Sequence, residues 1–83
     1  MTIQDRAEAD RLVAEALERW ANGGSLRSYS HHRGSSGEHA VMLYDYAPGI
    51  TWEGGDTGIT LALAAGAALV QWAKEVRDAI HAE

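Results

Sequence analysis

Apolar positions recur at spacings of three and four early in the chain: Ala9, Leu12, Val13, Ala16, Leu17 and Trp20. That is one stripe of an amphipathic helix. Asp5, Arg6, Glu8, Arg11, Glu15, Glu18 and Arg19 fall mainly on its other side. Glu15 and Arg19 have the favourable i,i+4 order. Thr2 and Asp5 supply acceptors for the first turn, and Asn22-Gly23-Gly24 ends the helix, since glycine takes the left-handed conformation of a C-cap. The pattern predicts a helix over residues 3–22.

From Leu26 the period changes to two. Strands are predicted over 26–33 and 38–46, joined at "GSSG". With a two- or four-residue loop, Arg33 faces Glu38, His32 faces His39, Ser30 faces Val41, Tyr29 faces Met42 and Ser28 faces Leu43. An opposite-charge pair beside the turn supports that register. Pro48-Gly49 suits a type II turn, and a short third strand follows over 50–53. Folded back on the second strand, it sets Trp52 near Asp45 and Glu53 near Tyr44. "EGGD" then reads as a break, and Asp56 or Thr57 as the cap of a second helix over 57–81. The first half of that helix is apolar almost all round, which calls for cover on more than one side. Its small residues Ala62, Ala65 and Gly66 admit a close neighbour: the first helix, the sheet, or a second copy of the chain.

The fold class is therefore α+β, in the order α-β-β-β-α. Two helices pack on one face of a three-stranded antiparallel sheet, because a helix stripe and a sheet face must be buried together. The predicted inner face carries Leu26, Ser28, Ser30, His32, His39, Val41, Leu43, Ile50 and Trp52. The predicted open face carries Arg27, Tyr29, His31, Arg33, Glu38, Ala40, Met42, Tyr44, Tyr46 and Glu53. Tyrosine, methionine and arginine are enriched at the cores of protein interfaces. Arg27, Tyr29, Met42, Tyr44, Tyr46 and Glu53 are thus the candidate partner-binding set. The bland alternative is strand propensity, since tyrosine favours sheets wherever it faces.

Length and composition narrow the functional classes. Eighty-three residues make one domain, which hides only about 60–65% of its unfolded surface. There is no cysteine, so disulfides and thiolate metal sites are excluded, and a reducing, cytoplasmic setting is expected. The net charge is −5, with no basic cluster, which argues against direct nucleic-acid binding and for a partner that is itself basic. The charged N-terminus has no secretory signal pattern. The uncharged run 57–73 is rich in Ala and Gly and reads as a buried helix rather than a membrane span.

Candidate chemistry is sparse. Three of the four histidines lie in residues 31–39, yet only His32 and His39 converge in the predicted register. A zinc site needs three or four protein ligands, so no metal or cofactor is expected. Asp45, Glu53 and Asp56 near Trp52, Tyr44 and Tyr46 suggest a sugar-cleaving pair, but so small a layer gives little depth for a cleft. No catalytic motif is present, and an enzyme is not expected.

Short, acidic, cysteine-free and without catalytic motifs, the chain resembles in format the small proteins that phages and mobile elements encode to disable host machinery, such as anti-CRISPR proteins. The resemblance implies steric inhibition of a basic, nucleic-acid-binding surface. Asp5, Glu8, Glu15 and Glu18, or Glu53 and Asp56, would stand in for phosphates. Two readings follow: a protein-binding module that acts as an inhibitor, or a homodimeric accessory subunit joined through Ala62, Ala65 and Gly66.

Overall fold

The computed structural model describes residues 3–24, 26–46, 48–49 and 51–77, with side chains placed between residues 7 and 76. Helix α1 (Ile3–Asn22) is followed by strands β1 (Arg27–Arg33), β2 (His39–Asp45) and β3 (Trp52–Gly58), then helix α2 (Leu61–Trp72). The helix continues as a π-helical turn over Ala73–Arg77. The strands form one antiparallel sheet in the order β1-β2-β3. Both helices cover one face of it, and this is the α+β arrangement that the sequence predicts. Thr2, Ile50 and His81 lie outside the described residues, as does the side chain of Asp5.

The core forms where the two helix stripes meet the centre of the sheet. Val41 and Leu43 on β2 are 0% exposed, and Leu17, Trp20, Ala64, Ala65 and Ala68 close over them. The alternation on β2 is as expected: Val41, Leu43 and Asp45 are buried, while Met42 and Tyr44 between them are half-buried. Alanines supply most of α2's buried face, so this helix sits close over β2 and β3.

The register of β1 differs from the expected one by a single residue. Arg27 pairs with Asp45, Tyr29 with Leu43, His31 with Val41 and Arg33 with His39. The cause is the turn. Gly34 N–H donates to the Glu38 carbonyl at 2.8 Å, and Gly37 N–H donates to the Gly34 carbonyl at 3.0 Å. These bonds close a three-residue loop over 35–37, and Gly37 takes φ 89°. A three-residue loop with glycine in the left-handed position is a standard hairpin ending. A one-residue slip turns every side chain of a strand to the other face. Arg27, Tyr29, His31 and Arg33 therefore face the helices, and Ser28, Ser30 and His32 face away. Leu26, expected inside, is exposed.

The pairing of β3 agrees with expectation, with Tyr44 opposite Glu53 and Asp45 opposite Trp52. Its length does not, for the strand runs on through the glycines. A Cβ on Gly54 would lie 2.4 Å from the Trp52 ring and 2.8 Å from Gln71 Oε1, and one on Gly55 would lie 2.5 Å from Met42 Sδ. Glycine here marks close approach within a strand, not a break. Gly49 has φ 84°, as the third position of a type II turn requires. The cap of α2 is Thr60, whose Oγ1 accepts from Leu63 N–H at 3.2 Å, rather than Asp56 or Thr57.

Candidate functional site: the helix-free face of the sheet

With both helices on one side, no layer of the described residues covers the other face of the sheet. Met42 and Tyr44 stand at its centre. Ser30 and Gly55 flank Met42 across the strands, and Ser28 and Glu53 flank Tyr44. Ser28, Ser30 and Gly55 are small, so the thioether, the ring and the exposed Glu53 side chain dominate the relief. Met42 Sδ lies over Gly55, which leaves the methionine half-buried on a flat surface. Tyr46 continues the face beyond the end of β2, its N–H tied to the Leu26 carbonyl at 3.0 Å. The Tyr44 and Tyr46 rings lie 6.3 Å apart at a 46° tilt, a favourable aromatic spacing.

Glu53 gives this face its charge. The Tyr46 hydroxyl donates to Glu53 Oε1. That bond to a carboxylate, helped by partial burial, pushes the Tyr46 phenol up to about 12. An anion next to the ring resists creation of a second one. The result is an acidic carboxylate held in place among three amphipathic side chains.

Two members of the expected set are elsewhere. Arg27 lies on the helix side, between the indoles of Trp20 and Trp72, with its guanidinium carbon 5.3 and 4.6 Å from the two ring centroids. Its Nε donates to Asp45 Oδ2 at 3.3 Å and its Nη1 to the Trp20 carbonyl at 3.1 Å. Trp72 Nε1 donates to the same Asp45 oxygen at 2.9 Å, and Asp45 is 2% exposed. Arg27 thus closes the end of the core as a buried ion pair. Tyr29 also faces the helices, and its hydroxyl donates to Glu18 Oε1 at 2.6 Å. That bond, with some burial, raises the Tyr29 phenol above its ordinary range. Sequence reasoning missed this Arg27–Asp45–Trp72 cluster; the signal was two tryptophans and a strand-end Arg/Asp pair, read in the wrong register.

The acidic residues of the two expected sets lie on different elements. Glu8 and Glu15 on α1 both engage Arg11, Glu15 at 2.6 Å, and Glu18 holds Tyr29. Arg11 partly neutralises Glu8 and Glu15 where they stand. Asp56 is on β3, facing the helix side, while Glu53 faces the other way. Asp45, Glu53 and Asp56 are therefore divided between the two faces of the sheet and do not converge as a carboxylate pair.

The histidine pair is also changed. His31, not His32, meets His39: Nε2 and Nδ1 are 2.8 Å apart and the rings stack at 5.1 Å. His32 is on the opposite face. Among the described residues no group of three or more His, Asp and Glu side chains could hold a metal ion. Of the small residues on α2, Ala65 is buried in the chain's own core, Ala62 is half-buried and Gly66 is exposed. Among the described residues, no helix is long and apolar enough to cross a membrane.

No protein-family model, curated protein or solved structure matches this chain. The functional reading therefore rests on the geometry.

Proposed function

We propose that this protein is a protein-binding module that docks a basic surface of another protein onto the helix-free face of its sheet. The observation that carries the reading is the grouping of Met42, Tyr44 and Tyr46 around the Glu53 carboxylate on a face that neither helix covers. Interfaces concentrate their energy in such aromatic and methionine anchors. A carboxylate beside them selects a cationic partner and excludes acidic ones. A partner's arginine could stack on Tyr44 while pairing with Glu53. A partner held this way would lose access to its own anionic ligand, so steric inhibition is the mode of action we favour.

The acidic face of α1 supports the reading less well. Arg11 already pairs with its Glu8 and Glu15 carboxylates, whereas the neutral Tyr46 hydroxyl leaves the Glu53 charge in place. The test is calorimetric titration with an arginine-rich peptide at several salt concentrations. Tyr44→Ala and Glu53→Gln each weaken binding about tenfold or more on this account, in line with a loss above ~1 kcal/mol at an interface anchor. Unchanged affinity in both variants would remove the sheet face as the docking site.

A further inference from the structure

His31 pairs with Val41 across the β1–β2 hairpin and Arg33 with His39, so the two histidines on the helix side are diagonal neighbours. Diagonal positions stand ~7–8 Å apart, within reach of aromatic rings. His31 is exposed and His39 half-buried. Their ring planes are within 10° of parallel, their centroids are 5.1 Å apart, and His31 Nε2 lies 2.8 Å from His39 Nδ1.

These distances determine how the rings meet. Ring bonds of ~1.33 Å put each nitrogen about 1.1 Å from its own centroid. With the nitrogens 2.8 Å apart, a centroid separation of 5.1 Å is reached only when both nitrogens lie on the line joining the centroids. The two rings therefore aim their nitrogens straight at each other, and one of them carries the N–H between. Among the described residues, no third His, Asp or Glu side chain joins the pair in a ligand set. Zinc takes four ligands in structural sites and three from the protein in catalytic ones, so two in-line nitrogens do not suit it. They suit an ion that takes two ligands at opposite poles, which is the preference of a soft monovalent d10 cation. Imidazole is a good ligand for copper.

We propose that His31 and His39 bind one monovalent copper ion, Cu(I), in linear two-coordinate geometry. The ion takes the place of the shared proton, which moves to the other nitrogen of its own ring, so both imidazoles bind neutral. Two metal–nitrogen bonds of ~2 Å require the 2.8 Å gap to widen. The diagonal spacing and the exposed position of His31 let side-chain rotation supply that opening. The surroundings suit a cation. A recess of about 20 Å³ beside His39 is walled by Asp10 of α1 together with Ile59, Thr60 and Leu61, which brings an acidic side chain to the site. Arg33, the cross-strand partner of His39, is drawn to the loop, where its Nη2 donates to the Gly37 carbonyl at 3.3 Å. The pair lies on the opposite face of the sheet from Tyr44 and at the other end of β2 from Tyr46, so it stands apart from the docking surface.

Silver(I), a redox-inert ion of the same charge and coordination preference, is the probe. It is titrated into the full chain by calorimetry, and the histidine ring protons are followed by NMR. One equivalent should bind, moving the His31 and His39 ring signals together and leaving His32 in place. Cu(I) kept reduced with ascorbate should compete for that same equivalent. His31→Ala, at an exposed position, should keep the circular dichroism spectrum and weaken binding about tenfold or more. His32→Ala should bind as the wild type does, and zinc should bind the wild type at least about tenfold more weakly than silver. An affinity that His31→Ala leaves unchanged would overturn the proposal. So would ring signals that stay still at one equivalent, or zinc held as tightly as silver. None of these results bears on whether Tyr44 and Glu53 bind a basic ligand.

Discussion

Arg27 and Asp45 are direct cross-strand partners whose side chains meet inside the protein, with Nε and Oδ2 3.3 Å apart. The pair lies where β1 and β2 run out beneath the C-terminal ends of both helices, and two tryptophans enclose it. Removing one partner of a buried ion pair leaves the other charge uncompensated, a loss of about 3–5 kcal/mol. Arg27→Met should reach the lower part of that range, since the guanidinium keeps some exposure. Asp45→Ala strands both Arg27 and the Trp72 indole N–H, and should cost at least as much. Urea unfolding measures both. Losses under about 0.5 kcal/mol would mean that the cluster does not hold the helices to the sheet.

Two glycines should respond to alanine in opposite directions. Gly37 has φ 89° and open space about its Cβ position. Gly37→Ala therefore has only a backbone cost, about 1–2 kcal/mol. Gly66 sits mid-helix on α2, also with nothing near its Cβ position. Gly66→Ala should stabilise by about 0.5–1 kcal/mol. Thermal unfolding of the two variants gives the signs directly, and a stabilising Gly37→Ala would contradict the three-residue hairpin loop.

Tyr46 gives a pH signature. Its phenol is pushed up to about 12 in the folded protein by the bond to Glu53, against an ordinary value near 10. The raised group favours the folded state while it is protonated. That contribution is complete below pH ~10 and disappears as pH rises through about 12. Ultraviolet titration of the tyrosinate bands should show Tyr46 ionising late. Glu53→Gln should bring it back toward ~10. Tyr29 should also titrate above the ordinary range, through Glu18, and be indifferent to that substitution.

Much of this architecture is legible in the sequence, and the failures have specific causes. The period of three and four places α1, and strict alternation sets Val41 and Leu43 inward against Met42 and Tyr44. The match of Tyr44 with Glu53 follows from the turn at Pro48-Gly49. β1 misleads because it has no apolar alternation. "RSYSHHR" is polar on both faces, so only the loop length sets its register, and "GSSG" offers a glycine at either end. The inward side chains there are long and amphipathic. Arg27 and Tyr29 bury their stems and keep polar tips bonded to Asp45 and Glu18, as such residues can. β3 misleads for the opposite reason. Its glycines look like a turn, but Gly54 and Gly55 lie beneath Trp52, Gln71 and Met42, which only the folded neighbours disclose. The open face therefore keeps Met42, Tyr44, Tyr46 and Glu53 from the expected set and loses Arg27 and Tyr29, both taken up by the core.

The most direct measurement is an amide chemical-shift map of the ¹⁵N-labelled protein titrated with an arginine-rich peptide. Docking on the helix-free face predicts the largest changes at Met42, Tyr44, Tyr46 and Glu53, fading with added salt. Changes concentrated at Glu8, Glu15 and Glu18 on α1, with the sheet unmoved, would contradict it.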